Sequence, residues 1–196
     1  MTKINLRKYG DSILKQRCEK VEEINEETLR LIEEMKKITI EADGVGLAAP
    51  QVGALKRIII VHPHTNEALR LAQKNNGAPY SVGVQTEKAP QAFVNPKILK
   101  RSKENEIEEE GCLSFPGIRL KIKRAKKIEI RVLNEKWEEI QMEVEGLVAR
   151  IFQHEIDHLN GILFIHRISF FQRWKIRKEL RALTNEELKR ESHPFS

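Results

Sequence analysis

Two histidines one helical turn apart form the most chemically informative pattern in this sequence of 196 residues. They bound the pentapeptide His-Glu-Ile-Asp-His, His154 to His158, which has the form H-E-x-x-H. Positions i and i+4 of a helix lie on the same face, so both imidazoles could bind one cation. Glu155 would then lie beside a water on that cation. Two histidines that only make ordinary hydrogen bonds are the alternative interpretation of so short a motif.

A catalytic metal with two histidine ligands needs a third protein ligand. The next histidine is His166, which does not fit the longer H-E-x-x-H-x-x-G-x-x-H spacing, and Glu179 lies in a basic segment. Cys112, in the stretch EEEGCLSFPG, is the better candidate because a thiolate suits a borderline-soft cation such as zinc. Half of a disulfide, a nucleophile or a small buried side chain are the other possible uses of Cys112.

The only other cysteine is Cys18. The N-terminus MTKINLRKYGD lacks the apolar stretch of a signal peptide, and no apolar run is long enough to predict a membrane span. We therefore expect a cytoplasmic protein, in which a structural disulfide between Cys18 and Cys112 is disfavoured. Cys18 is instead expected to be a small buried hydrophobic residue.

The chain carries 35 basic and 29 acidic residues, a net charge of +6, and basic residues gather near its end. Residues 167–190 predict one amphipathic basic helix. This helix either docks on its own domain with a solvated basic face or also contacts RNA or a ribosome. Its predicted apolar side consists of Phe170, Phe171, Trp174, Leu180 and Leu183.

The remaining segments predict the elements that must position these residues. A helix should begin after Asn25, which can cap it, and Leu55 to His62 should form a strand. Residues 62–92 are polar and irregular and indicate a surface insertion. Alternation in KKIEIRVLNEKWEEIQMEVEG predicts a hairpin. Further extended structure is expected in AFVNPKIL.

The helix that carries HEIDH is apolar on most of its sides, from Leu147 until Gly161 stops it, and such a helix is a buried one. Arg150 lies in it, so its charged head must reach solvent or find a partner. We predict one catalytic domain over residues 1–196 with an α+β fold. Mixed or antiparallel strands should pack around this central helix, with an additional basic C-terminal helix or tail over 167–196.

Three segments together resemble the peptide deformylase family. They are GVGLAAPQVG (44–53), EGCLS (110–114) and QHEIDHLNG (153–161), and they match the three motifs of the family in order and register. The opening KYGDSIL is similar to the start of the family, although Ser12 stands where proline is frequent. The resemblance spans nearly the whole chain.

The resemblance implies an enzyme that removes the N-terminal formyl group from formyl-methionyl nascent polypeptides. It implies one divalent metal, Fe²⁺ in most members with Zn²⁺, Ni²⁺ or Co²⁺ as substitutes. A water on the metal would attack the formyl carbon, with Glu155 as general base and then acid. The Gln51 side chain and the Leu113 N–H would stabilise the oxyanion. The ligands it implies are Cys112, His154 and His158.

The resemblance also implies a peptide substrate that pairs like a strand with Val45, Gly46 and Gly111. The methionine pocket would be formed by Val45, Leu147, Ile151 and the His154 ring. Glu110 and Asp157 could support the ligands, with Arg124 as a possible partner of Asp157. The partners expected are formylated nascent chains and, through the basic C-terminal helix, the ribosome, with no membrane.

Two rival functions share parts of this pattern. A metallopeptidase would carry the same active helix, although GVGLAAPQ argues against it. A non-catalytic protein with a structural metal would usually supply four protein ligands, and the sequence offers three.

Overall fold

One buried helix lies between a five-stranded sheet and a two-stranded hairpin in the computed structural model, which describes residues 5–63 and 89–192. The sheet is antiparallel, with strand order β1-β2-β3-β6-β7. Its strands are β1 (Gly46–Ala48), β2 (Ile58–Val61), β3 (Gln91–Arg101), β6 (Lys127–Leu133) and β7 (Glu139–Glu145). The hairpin consists of β4 (Asn105–Gly111) and β5 (Arg119–Ala125).

The first helix, α1 (Glu26–Glu41), begins where the sequence predicts. The Asn25 side chain accepts a hydrogen bond from the Thr28 N–H, which satisfies one of the unpaired donors of the first turn. Ile32 and Met35 are buried against one face of the five-stranded sheet. The predicted helix and its cap are confirmed.

The central helix, α2 (Gly146–Leu159), packs against the opposite face of the sheet and against β5 of the hairpin. Every residue from Val148 to Leu159 is buried. Beyond its end, Gly161 has φ +71°, and a Cβ there would lie 2.3 Å from the Lys15 carbonyl oxygen. Only glycine fits this position, so the predicted stop at Gly161 has a steric cause.

The predicted α+β class is confirmed, with antiparallel strands around the helix that carries HEIDH. The hairpin predicted in 126–146 is β6 and β7. The strand predicted over Leu55 to His62 is present in a shorter form, β2, because the chain at Lys56 makes an isolated bridge to Glu19 instead. Cys18 is buried and free, as expected.

The predicted insertion over 62–92 is too wide at both ends. His62 and Pro63 are buried, and β3 already begins at Gln91 with Ala92 in the core. These ends directly follow β2 and begin β3, so they belong to the sheet region although the segment between them is polar. The rest of that prediction, residues 64–88, lies outside the described residues.

The single C-terminal helix predicted over 167–190 is wrong. Ser169 caps a short helix, α3 (Phe170–Lys175), and after Ile176 a second helix, α4 (Arg177–Ser192), begins. Leu180 and Leu183 pack in the core as predicted, but three aromatic residues do not. The break redirects the chain, so Phe170, Phe171 and Trp174 are 68%, 75% and 54% exposed. No described helix could cross a membrane.

Candidate metal centre

Two elements bring together the three residues predicted to bind a metal. Cys112 follows the last residue of β4, while His154 and His158 lie one turn apart on α2. One ligand atom from each lies within 4.8 Å of the others, and Cys112 Sγ is 3.3 Å from His158 Nε2. Among the described residues this is the one group with the composition and spacing of a metal site.

Glu110 fixes the orientation of the His154 ring. His154 Nδ1 lies 2.9 Å from Glu110 Oε2, and both groups are buried. A proton on Nδ1, donated to that carboxylate, leaves Nε2 with the lone pair that a metal needs. Burial alone would raise the pKa of Glu110, but hydrogen bonds from His154 and Arg124 hold it well below its ordinary value. Glu110 is therefore an anion.

A buried network of ion pairs surrounds Glu110. Arg124 donates to both Glu110 oxygens at 2.9 and 3.0 Å and also pairs with Asp157. Asp157 pairs in turn with Arg167. The structure thus brings Asp157 and Arg124 together as the sequence suggested. Through Arg124, Asp157 is linked to the carboxylate that orients His154.

Arg150 is the residue of this network whose partners sequence reasoning missed. It donates to Glu110 Oε1 at 2.7 Å and to Glu108 Oε2 at 3.0 Å. It also donates to the backbone carbonyls of Ile122 and Glu106. These acceptors belong to both strands of the hairpin, so Arg150 clamps β4 and β5 to α2. The available signal was an arginine in a helix predicted to be buried.

Glu155 lies beside the ligands and is itself buried. Burial raises the pKa of Glu155 to about 7, with a partial opposing effect from His154. Its Oε2 atom has no hydrogen-bond partner among the described residues. A Cβ on Gly46 would lie 2.6 Å from Glu155 Oε1, so glycine at 46 makes room for this carboxylate. A buried carboxyl group with a pKa of about 7 can both accept a proton and return it.

The electrostatics of the centre suit a cation. Burial would lower the pKa of His154, but hydrogen bonds to Cys112 and Glu110 raise it well above the ordinary value. Burial and the neighbouring His154 lower the pKa of His158 well below it. The anionic groups that favour a proton on His154 equally favour a metal ion. A thiol, two imidazoles and buried acceptors without partners therefore fit a divalent transition metal.

Gln51 and the loop after Cys112 lie at the same centre. Gln51 is held in a 3₁₀ turn over Ala49–Val52, where its Oε1 accepts from the Ala48 N–H at 2.8 Å. Its Nε2 donates to Ser114 Oγ at 3.1 Å and lies 3.6 Å from Cys112 Sγ. The amide donor therefore points toward the ligand group.

The N-terminal segment supports that loop from the other side. Arg7 N–H donates to the Gln51 carbonyl and Tyr9 N–H to the Ser114 carbonyl. Lys8 Nζ donates to the Leu113 carbonyl at 2.8 Å. Sequence reasoning did not foresee these three contacts, because hydrogen bonds to the backbone of a distant segment leave no residue pattern.

A cavity of about 400 Å³ opens onto the centre. Glu155, Gln51, Cys112 and Leu113 line it together with His154. Arg124, Asp157 and His158 are not among its lining residues. All five residues predicted to bind substrate line it as well: Val45, Gly46, Gly111, Leu147 and Ile151.

Comparisons with known proteins agree with this geometry. Residues 3–174 match the model of the polypeptide deformylase family. The chain is 44% identical to a peptide deformylase of Clostridium botulinum over 163 residues, which are 83% of this chain and 95% of the relative. The match to the family model ends within α3, so α4 lies beyond it.

Solved structures show the same fold. The crystal structure of a plant peptide deformylase superposes with a TM-score of 0.80 at 32% identity, covering 98% of this chain and 94% of that one. The peptide deformylase of Thermotoga maritima gives 0.71 at 38% identity, covering 86% and 99%. The chain belongs to the polypeptide deformylase family, hydrolases that remove N-formyl groups from nascent peptides.

Proposed function

We propose that this chain hydrolyses the N-terminal formyl group of formyl-methionyl nascent polypeptides in a metal-dependent reaction. The observation that carries the proposal is the convergence of Cys112, His154 and His158 beside Glu155 at one cavity. Three ligands leave an open coordination position, which catalytic sites need and structural sites do not.

We propose one divalent metal ion per chain. Fe²⁺ is the preferred ion, and Zn²⁺, Ni²⁺ or Co²⁺ are substitutes. Such an ion, when bound, acidifies a water and polarises a carbonyl. Cys112 would bind as the thiolate and His154 through Nε2, while Glu110 holds the other ring nitrogen. Metal analysis of protein purified without oxygen identifies the ion, and an absence of stoichiometric metal would count against the site.

Glu155 is proposed as the base that takes a proton from the attacking water and then returns it to the departing amine. Its burial and a pKa near 7 support both steps. Gly46 leaves the carboxylate free to face the cavity. Glu110, which also lines the cavity, does not suit this role because it is already engaged by Arg124, Arg150 and His154.

The Gln51 amide and the Leu113 backbone N–H are proposed to stabilise the oxyanion that forms at the formyl carbon. Gln51 Nε2 already lies near Cys112, in a turn whose geometry is fixed by Ala48. Loss of one such donor typically lowers the rate by ~10²–10³-fold. Gln51→Ala should therefore reduce kcat more than it changes KM.

The peptide is proposed to bind as an added strand beside Val45, Gly46 and Gly111, which line the cavity from two different sheets. Its methionine would contact Leu147 and Ile151, apolar residues on the cavity side of α2. An unbranched thioether suits such an irregular apolar space.

A formate-release assay tests the proposal. The metal-loaded protein should deformylate a formyl-Met peptide and stop when a chelator is added. Turnover of ordinary peptides without deformylation would establish a metallopeptidase instead. A protein that binds the metal tightly but hydrolyses neither substrate would be the structural alternative.

We further propose that the protein acts in the cytoplasm, on chains emerging from ribosomes, and that its basic C-terminal segment contacts the ribosome. Lys178 and Arg181 on α4 are exposed, which suits a salt-sensitive contact with an acidic surface. Removal of residues 175–196 should abolish co-sedimentation with ribosomes at low salt. Unchanged co-sedimentation would refute the contact.

A further inference from the structure

A second cleft, with a volume of about 670 Å³, collects cationic side chains. It shares no lining residue with the cavity of the metal centre. Glu139 is its only lining carboxylate within the described part of the chain. We name it the basic cleft after its six lining cations: Arg17, Lys20, Arg57, Lys97, Arg101 and Arg131. The whole chain carries a net charge of +6, so positive charge is strongly concentrated here.

Two of these cations stand directly opposite each other in the sheet. Lys97 of β3 is the register partner of Arg131 of β6, and the ladder is irregular on both sides of Lys97. Like charges in opposed positions destabilise a strand pair. Glu139 offsets part of this repulsion through a 3.8 Å contact with Arg131. The repulsion between Lys97 and Arg131 lowers the stability of the sheet. A bound anion would offset that repulsion, so the pair points to an anionic ligand.

Arg57 forms the fixed part of the cleft. Its guanidinium donates to Asn160 Oδ1 at 3.0 Å and to the Pro96 carbonyl at 3.1 Å, which are neutral acceptors. Burial, and in smaller part the nearby Arg17, lower the pKa of Arg57. These contacts orient the planar group without neutralising it, so an arriving anion would find a pre-oriented cation.

Four of the other five cations extend toward solvent. The side chains of Arg17, Lys20, Lys97 and Arg101 are exposed and make no hydrogen bond or ion pair within residues 5–63 and 89–187. Lys100, a neighbour on the same strand, pairs instead with Glu129. Four exposed cations from two separate segments thus surround one partly buried arginine.

We propose that the basic cleft binds the phosphodiester backbone of RNA. Cations spread over several segments around an open cleft suit a run of phosphates better than one enclosed phosphate. No aromatic residue of the described ranges lines the cleft, so the proposed binding uses no base stacking there and is independent of sequence. The choice of RNA rests on the proposed function, because the proposed substrate is a chain still being synthesised beside RNA.

The test measures fluorescence anisotropy of a short labelled oligouridylate with the metal-loaded protein over a range of salt concentrations. Four phosphate contacts predict that log Kd changes with log salt with a slope of about 3 in magnitude. Lys97→Gln/Arg101→Gln should reduce that magnitude by about 1.4 and weaken binding at low salt by roughly tenfold. Oligoadenylate should bind as tightly as oligouridylate.

A matched control separates the cleft from charge in general. Lys121→Gln/Lys123→Gln removes two exposed cations of β5, to which no binding role is assigned. This variant should bind the oligonucleotide as the wild type does. An equal loss of affinity in both double variants would overturn the cleft as the site, as would unchanged binding in Lys97→Gln/Arg101→Gln.

Two further readouts complete the test. Inorganic pyrophosphate that binds the cleft while the oligonucleotide does not would overturn RNA as the ligand. The Lys97→Gln/Arg101→Gln variant should deformylate a short formyl-Met peptide at the wild-type rate, because the two cavities share no residue. Since deformylation and RNA binding are measured separately, failure of one is distinguishable from failure of the other.

Discussion

Glu155 combines burial, a missing hydrogen-bond partner and a glycine that makes room for it. Burial of a carboxylate oxygen without a hydrogen-bond partner costs stability. Its neighbour along the helix, His154, is by contrast held by Glu110. The two residues therefore differ in their surroundings, as the proposed roles of a fixed ligand and a proton carrier require.

Replacement of this carboxylate tests its role directly. Glu155→Gln keeps the size of the side chain but removes the proton acceptor, so kcat should fall by ~10²–10⁴-fold. Metal content, measured on the same preparation, should remain stoichiometric. Glu104→Gln, a change at an exposed carboxylate paired with Lys126, is the control and should have wild-type kcat. Substantial turnover by Glu155→Gln would show that another group is the base.

The two cysteines should differ in reactivity. Burial raises the pKa of Cys18 to about 11, and the thiolate is the reactive form. With iodoacetamide at about pH 8, metal-free protein should be alkylated at Cys112 and not at Cys18. Cys18→Ala should leave the extent of labelling unchanged, as mass spectrometry of peptides can show. Rapid labelling of Cys18 would contradict its burial.

At the scale of elements, the centre depends on how the hairpin is attached to α2. The hairpin forms a sheet of its own and makes no ladder with the five-stranded sheet. Cys112 lies in the connection between the two strands of the hairpin, whereas both histidines belong to α2. The ion pairs of Arg124 and Arg150 therefore set the distance between the thiol and the imidazoles.

Loss of the Arg150 clamp should loosen this attachment. Arg150→Met leaves Glu110 and Glu108 without one cationic partner, and the free energy of unfolding should fall by about 3–5 kcal/mol. Arg150→Lys keeps the charge but not the fork of donors, so it should recover only part of the loss. Urea unfolding measures the stability and chelator competition the metal affinity. Equal metal affinity in all three proteins would refute the clamp.

At Gly46, β1 packs closely against α2. A Cβ at this position would lie 2.6 Å from Glu155 Oε1 and 2.8 Å from Ile151 Cγ2. Gly46→Ala should therefore displace the carboxylate and lower kcat, while metal content is retained. Gly111→Ala is the comparison, since its Cβ would meet only the Arg119 side chain at 3.5 Å or more. A smaller kcat loss in Gly46→Ala than in Gly111→Ala would contradict this account.

At the scale of the whole molecule, the prediction from sequence succeeds where residue type and spacing carry the information. The hairpin of β6 and β7, the cap at Asn25 and the pairing of His154 with His158 follow from local patterns. The ligand cluster needed one long-range inference, which the chemistry of thiolate and imidazole supplied.

The prediction fails where the outcome depends on a tertiary partner. Apolar periodicity placed Trp174 on the same helix face as Leu180. The helix instead ends at Ile176, and the Arg177 guanidinium lies over the Trp174 indole, 3.9 Å from the indole ring centroid. Likewise nothing local indicates that Arg150 pairs with Glu108. Periodicity records which residues are apolar and not what they pack against.

Removal of the metal should weaken the whole fold. An ion held by Cys112 and His154 binds the folded chain and not the unfolded one, and this adds about 2.7 kcal/mol at a free concentration ~100 times the Kd. The thermal midpoint should therefore fall on treatment with chelator and recover on reloading. Cys112→Ala, measured with and without metal, should show a much smaller difference. An unchanged midpoint in the wild type would mean that the ion contributes nothing to stability.

The separation of the hairpin from the main sheet has a last consequence. Among the residues that the structure describes, β1 and the end of β4 each pair on one side only, and residues of both line the cavity. A peptide seated between them would be hydrogen-bonded on both flanks and would join the two sheets into one. The amide protons of these edges would then exchange slowly with solvent only while a substrate is present. In the proposed binding mode, substrate binding would complete one continuous sheet.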